Sequence, residues 1–206
     1  MQLVPGLHQI GLGYVNAFLW DSPDGLVLID AGVDEQAAGI LAYLTGLGRQ
    51  PSAVRWILIT HSHPDHIGGA AKLKEVCGAQ VLAHRDEVAA IESSLGRAKV
   101  IDRELVDGEG TPGGLKAIHT PGHTRGHTCY YHPRRSILFV GDALTNREGL
   151  AGPSEKYTAD MPEAQRSIRK LSQLSFEIAC FGHGEPLTAG ACTLVDRLVE
   201  RMESNR

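Results

Sequence analysis

The chain has 206 residues, 42% hydrophobic, 21% charged and 5% aromatic, with a formal net charge of -4. That balance excludes a disordered or fibrous chain, allows a sizeable core, and offers no basic face for a nucleic acid. Ten histidines are the compositional oddity, and their positions carry the functional reading.

In chain order, residues 7–12, 15–20 and 26–30 are predicted as strands, separated by Gly13 and the Ser22-Pro23-Asp24-Gly25 turn. Asp34 is predicted to cap a helix with Ala37, Ile40, Leu41, Leu44 and Leu47 on its apolar face, ended by Gly48. Residues 54–60 read as a strand buried on both faces. A helix over 69–76 and a strand over 80–83 follow. Residues 85–114 are expected to hold one short helix and then loop. Strands are expected at 115–119, 128–131 and 136–140, then a polar loop at 145–159. Asp160 and Glu163 form a capping pattern for a helix that turns Ala164, Ile168 and Leu171 inward. A strand at 177–181 and a final helix at about 189–202 complete the chain, the helix with Leu194, Leu198 and Arg201 along one side. The order is α+β. Residues 26–32 (LVLIDAG) and 137–143 (ILFVGDA) both run an apolar strand into an aspartate. The economical reading is one domain over 1–206, built from two similar halves.

Residues 1–20 lack a basic start followed by an apolar block, and no stretch reaches the roughly 18 apolar residues of a membrane span. Cys77, Cys129, Cys180 and Cys192 form no C-x-x-C pair and are expected as structural free thiols. A cytoplasmic protein with neither a membrane nor a nucleic-acid partner is expected. The oligomeric state stays open, and so does the role of the 15–20 run, which can cover a neighbour or the mouth of a site.

Directly after the 54–60 strand, His61-Ser62-His63-Pro64-Asp65-His66 gathers three imidazoles and a carboxylate. In an extended loop alternate side chains point the same way. His61 and His63 then reach one ion, while Asp65 and His66 turn toward a neighbouring position. Such ligands suit Zn2+, and also Fe or Mn. His123, Asp142 and His183 each follow a later predicted strand beside a glycine, where a rigid scaffold holds a ligand well. Each alone is a weak signal; with the 61–66 cluster they complete two coordination shells. Asp30 is a candidate acceptor for a ligand imidazole, against the alternative of a plain strand-end aspartate. His127, four residues after His123, is a candidate to support the site or touch substrate. Lys156 and Tyr157 are candidates to hold a substrate carboxylate, against the alternative of a solvated loop pair. His84 and His119 are read as structural, and His8 and His132 as surface or loop residues.

The 61–66 segment matches the H-x-H-x-D-H signature of the metallo-β-lactamase superfamily. Thr120-Pro121-Gly122-His123-Thr124, Gly141-Asp142-Ala143 and Gly182-His183-Gly184 match its later motifs in order. Leu28-Ile29-Asp30-Ala31-Gly32 resembles its early strand-aspartate motif. The resemblance spans residues 8–188. It implies a four-layer αββα sandwich with a metal site at one edge between two sheets. It implies that His61, His63 and His123 bind a first Zn2+, that Asp65, His66 and His183 bind a second, and that Asp142 bridges.

Two dications beside Asp65 and Asp142 leave about +2 on the metal–carboxylate core, which lowers the pKa of a bridging water. The implied reaction is attack of that hydroxide on a thioester, ester, lactone or amide carbonyl of a small molecule. Asp65 and Asp142 are the catalytic carboxylates, Asp65 orienting the nucleophile or passing a proton. An aspartate at position 142 makes the chain more similar to glyoxalase II-like thioesterases and lactonases than to true β-lactamases. The chain ends soon after His183, so the helical C-terminal domain of a full glyoxalase II is not expected. No clear basic cluster for glutathione and no tyrosine just after Asp142 are present. The alternatives are an iron-dependent enzyme similar to persulfide dioxygenases, a lactonase or β-lactamase-type hydrolase, and a non-catalytic binding protein.

Overall fold

Strands whose two faces are both apolar must be covered on both faces. That requirement sets the layers in the computed structural model, which describes residues 1–96 and 99–204. One sheet contains β1 (Gln2–Val4), β2 (Leu7–Gly11), β3 (Asn16–Ser22), β4 (Gly25–Ile29), β5 (Val54–Leu58), β6 (Gln80–His84) and β7 (Arg103–Leu105), in that spatial order. β1 to β4 are antiparallel and β4 to β7 are parallel. The parallel steps cross over through α1 (Ala38–Gly46), α2 (Pro64–Ile67) with α3 (Ala70–Cys77), and α4 (Val88–Ser94). The second sheet has the order β12 (Ile178–Phe181), β11 (Ile137–Gly141), β10 (Thr128–His132), β9 (Leu115–His119), β8 (Gly110–Thr111). Its parallel pair, β11 and β12, is joined through α5 (Met161–Ser172), and α6 (Ala191–Ser204) follows.

The alternation can be followed residue by residue. On β4, Leu26 and Leu28 face α1 and α3, while Val27 and Ile29 face the other sheet. On β11, Ile137 and Phe139 face the first sheet, while Leu138 and Val140 face α5 and α6. Three buried clusters result: helix on sheet, sheet on sheet, and sheet on helix. They make the four layers of an αββα sandwich. Phe18 and Phe139 meet edge to face at 5.8 Å across the middle layer.

Asp34 accepts from the backbone N–H of Gln36 and Ala38 at the start of α1. Asp160 caps α5 by accepting from Glu163 N–H. Several expectations need correction. The 85–114 segment holds, besides α4, the two short edge strands β7 and β8, too brief to show a period. Residues 64–67 are a helical turn rather than extended loop, because Pro64 presets φ at its first position. The 15–20 run covers neither a neighbour nor a mouth: most of it is the internal strand β3, between β2 and β4. Leu47 lies past the end of α1 and is exposed. On α6 the inward line is Ala191, Val195 and Leu198, and Arg201 is exposed. His132 is a buried strand residue packed edge to face on Trp20 at 5.3 Å. Cys77, Cys129 and Cys180 are buried free thiols, and Cys192 is a half-buried one. Among the described residues no helix is long and apolar enough to cross a membrane.

Phe139 fills the layer between the sheets, so Phe139→Ala is expected to cost about 3–5 kcal/mol in chemical denaturation. A loss below about 1 kcal/mol would contradict this account of the core.

Candidate metal centre

Five strand ends deliver the site. β4 leads into Asp30, β5 into Thr60 and the 61–66 segment, β9 into the loop bearing His123, β11 into Asp142, and β12 into His183. His63 is still extended, at φ -66° and ψ 143°, and α2 then carries Asp65 and His66. Three groups within reach of a shared ion result: His61, His63 and His123; Asp65, His66 and His183; and His61, His66 and Asp142. All seven metal-site residues read from the sequence are therefore brought together.

The distances also match the spacing of ligands around an ion. His63 Nδ1 lies 3.1 Å from His61 Nε2 and 3.0 Å from His123 Nε2. His183 Nε2 lies 3.3 Å from Asp65 Oδ2 and 3.2 Å from Asp142 Oδ2. Asp142 Oδ2 is also 3.5 Å from His123 Nε2, and its Oδ1 is 3.4 Å from His66 Nε2. Two ligands on a tetrahedral ion with bonds of about 2.0–2.1 Å stand roughly 3.3 Å apart. His66 Nε2 and Asp142 Oδ1 are buried with no hydrogen-bond partner. Buried polar atoms without partners are costly, so a cation between them satisfies what the protein leaves open. Gly182 keeps that space clear: a Cβ there would lie 2.4 Å from Asp142 Oδ1 and 2.6 Å from His66 Cε1.

The outer nitrogens fix the tautomers. His66 Nδ1–H donates to Asp30 Oδ2 at 2.8 Å. His61 Nδ1–H donates to Thr60 Oγ1 at 3.0 Å, whose own O–H donates to Asp30. His123 Nδ1–H donates to Thr158 Oγ1 at 3.1 Å, and that hydroxyl donates to Ser154 C=O. His183 Nδ1–H donates to Tyr14 C=O at 2.7 Å. Each arrangement turns Nε2 toward the site, where an ion can take the place of any proton it carries. Asp30 therefore takes the supporting role that the sequence left open. His127 is buried behind the ligands: its Nε2 accepts from Asp142 N–H at 3.1 Å and its Nδ1–H donates to Thr120 Oγ1 at 2.8 Å. It holds the backbone of Asp142. Tyr157 is exposed, with Lys156 Nζ 4.9 Å from its ring centroid, and its loop meets the site through Thr158 instead. Thr60, Thr158 and Tyr14 were missed in the sequence. Thr60 adjoins the histidine motif, but the other two become relevant only through contacts across the fold.

Electrostatics divides the site. Burial disfavours charge on His61, His63, His123 and His127 and lowers all four, His123 to about 4. Burial also opposes charge on His66, yet Asp142 and Asp30 outweigh it and raise the pKa. His183 is raised to about 10 against its burial by hydrogen bonds to Asp142 and Asp65. The same imidazoles hold Asp142 and Asp65 below the ordinary carboxylate range despite burial. A further group, His84, Asp86 and His119, also gathers within ligand range. Its two rings stack 4.0 Å apart and 6° from parallel. Imidazole lone pairs lie in the ring plane, and one ion cannot lie in two parallel planes, so these two rings as stacked do not address one ion.

Two stacked sheets flanked by helices, with imidazoles and carboxylates at one edge, define a metallo-hydrolase architecture. The chain belongs to the metallo-beta-lactamase superfamily, whose model matches residues 10–183. It is similar to "Probable metallo-hydrolase YybB" of Bacillus subtilis, 30% identical over 176 residues, covering 80% of this chain and 78% of that one. It is also similar to hydroxyacylglutathione hydrolase of Pseudomonas aeruginosa, 38% identical over 122 residues, covering 57% of this chain and 42% of that one. The chain spans about half the length of the hydroxyacylglutathione hydrolases it matches. Among solved structures, the metallo-beta-lactamase family protein TTHA1429 of Thermus thermophilus superposes with a TM-score of 0.78 at 25% identity, covering 98% of this chain and 81% of that one.

In metal-free protein, the raised His66 and His183 contribute stability that is complete below about pH 6.5 and lost as pH rises through their folded values, about 10 for His183. The lowered His61, His63, His123 and His127 lose stability as pH falls below about 6.5, where the unfolded chain takes up protons that the fold rejects. Thermal unfolding in excess chelator is expected to peak near pH 6.5. A midpoint that climbs steadily toward about pH 5 would contradict these shifts.

Proposed function

We propose that the chain is a dinuclear metallo-hydrolase acting on a small thioester, ester or lactone, similar to glyoxalase II. The pair of buried ligand atoms that face each other without a hydrogen bond, His66 Nε2 and Asp142 Oδ1, carries the reading. His61, His63 and His123 would hold one ion and Asp65, His66 and His183 the other, with Asp142 between them. The nitrogen and carboxylate set suits Zn2+ and also accepts Fe or Mn. When bound, the ions supply a water of lowered pKa and polarise the substrate carbonyl.

The chain's own residues do the rest. Asp30, Thr60, Thr158 and the Tyr14 carbonyl hold four imidazoles with the correct nitrogen inward. His127 fixes the backbone of Asp142. Asp65 retains 19% side-chain exposure on the open side of the site. There it can orient a water and pass a proton to the leaving group. The reading needs no serine or cysteine nucleophile; burial pushes Cys129 up to about 12 and raises Cys180 as well. A one-iron site would need only two imidazoles and one carboxylate, so the gathered Asp65, His66 and His183 favour two ions. The names of the hydroxyacylglutathione hydrolase relatives support a thioester. Free thiols throughout support a cytoplasmic location. The proposed partner is a small molecule, not a membrane or nucleic acid, and the proposed unit is a single catalytic domain.

Protein purified without chelator is assayed with S-lactoylglutathione, an acyl-homoserine lactone, nitrocefin and a phosphodiester. Turnover of the thioester or the lactone is expected, and Asp65→Ala is expected to lower it by about 100-fold or more. Hydrolysis of the phosphodiester alone, or full activity in Asp65→Ala, would reject the reading.

A further inference from the structure

Solvent reaches the proposed metal site from one side. His61, His66 and His123 are buried, whereas Asp65 keeps 19% side-chain exposure and His183 and Asp142 keep 13% each. Beside that opening stand two residues whose side chains are not among the proposed metal ligands. Tyr14, exposed in the turn between β2 and β3, stacks on His183 with ring centroids 6.0 Å apart and planes 4° from parallel. Arg147, exposed in the loop after Asp142, places its guanidinium 5.9 Å from the Tyr14 ring centroid.

The hydrogen bonds show how the guanidinium is held. Arg147 Nη2 donates to Tyr14 C=O at 3.1 Å. The same nitrogen lies 3.0 Å from His183 Nδ1, but Nδ1–H already donates to that carbonyl. Two donors therefore share one acceptor, and Arg147 is not tied to the imidazole. The loops beneath are pinned together. Asn146 N–H and Thr145 Oγ1 donate to His183 C=O, and Asn16 Nδ2 donates to Phe181 C=O and Gly184 C=O. A guanidinium has five donors in a rigid fork. Among the described contacts, only Nη2 is used. The remaining edge is a preformed receptor for a carboxylate, with an aromatic face beside it for an apolar arm.

We propose that Arg147, seated over Tyr14, determines substrate specificity by binding the carboxylate of an anionic carbonyl substrate. The substrate class is then a thioester, ester or lactone that bears a carboxylate a few bonds from the scissile carbonyl. The inference rests on the hydrolytic reading above and narrows it. A fixed cation at the rim adds to the positive charge of the bound ions and orients an anionic substrate before it meets the site.

The test uses two thiols with the same short arm, of which one carries a carboxylate. Zinc-loaded protein is titrated calorimetrically with mercaptoacetate and with 2-mercaptoethanol. The thiolate of each addresses the metal, and the mercaptoacetate carboxylate can also chelate it, so the part of the preference that depends on Arg147 is read from its variants. Wild type is expected to bind mercaptoacetate about tenfold tighter than 2-mercaptoethanol. Arg147→Met is expected to remove that preference while leaving zinc content and 2-mercaptoethanol affinity unchanged. Arg147→Lys is expected to keep part of the preference, as a point charge without the fork. If wild type binds both thiols equally, if Arg147→Met keeps the full preference, or if it weakens both alike, the arginine does not hold the carboxylate and the proposal is overturned. If neither thiol binds wild type, the hydrolytic reading itself fails, and this inference fails with it.

Discussion

One buried carboxylate, that of Asp30, organises the site. It stands at the end of β4 with φ 61°, a left-handed conformation that costs an aspartate about 1–2 kcal/mol. The conformation persists because the side chain is fully engaged. Oδ1 accepts from Thr60 N–H at 2.8 Å, and Oδ2 accepts from the Thr60 hydroxyl at 2.8 Å and from His66 Nδ1–H at 2.8 Å. The end of β5 and the first turn of α2 are thus tied to the end of β4. Through Thr60 the same carboxylate reaches His61. Two neighbouring imidazoles, one in each proposed ligand set, are oriented by one anion that stands outside both sets.

The second sheet closes on this frame from the other side. Thr128 N–H donates to Thr60 C=O, and the buried Tyr130 hydroxyl donates to Ile59 C=O, so both sheets grip the same strand end. Asp142 and His183 then arrive on neighbouring parallel strands, where Gly182 lets the backbone pass close to the Asp142 carboxylate. Gly68 does the same for the first half: a Cβ there would lie 2.3 Å from Val33 C=O. The loop after β4 and the turn of α2 interlock at that point, with Gly68 N–H donating to Gly32 C=O. Neutral imidazoles on one side and paired imidazole–carboxylate contacts on the other leave the ion-free site poised, with ring nitrogens and carboxylate oxygens aimed at a shared centre.

Much of this was legible in the sequence, for identifiable reasons. His61, His63, Asp65 and His66 are close in the chain, so their ligand chemistry shows as a local pattern. His123, Asp142 and His183 follow apolar strands that the period of two reveals. What escaped notice depends on contacts between distant segments. Thr158 matters only because its loop folds over His123, and Tyr14 only because its turn lies against His183, 169 positions away. β7 and β8 have three and two residues, too short for any period. His132 looked like a loop residue because Pro133 and two arginines follow it, yet β10 carries it inward against Trp20. Local pattern finds ligands; their supports are found only once the chain has folded.

The central claim is that these seven side chains form two adjoining metal positions held in place by Asp30. Anomalous diffraction at the zinc edge, from crystals of protein purified without chelator and supplied with zinc, tests it most directly. Two anomalous peaks are expected, one among His61, His63 and His123 and one among Asp65, His66 and His183, with Asp142 touching both. A single peak at full occupancy, or peaks away from these side chains, would contradict the account.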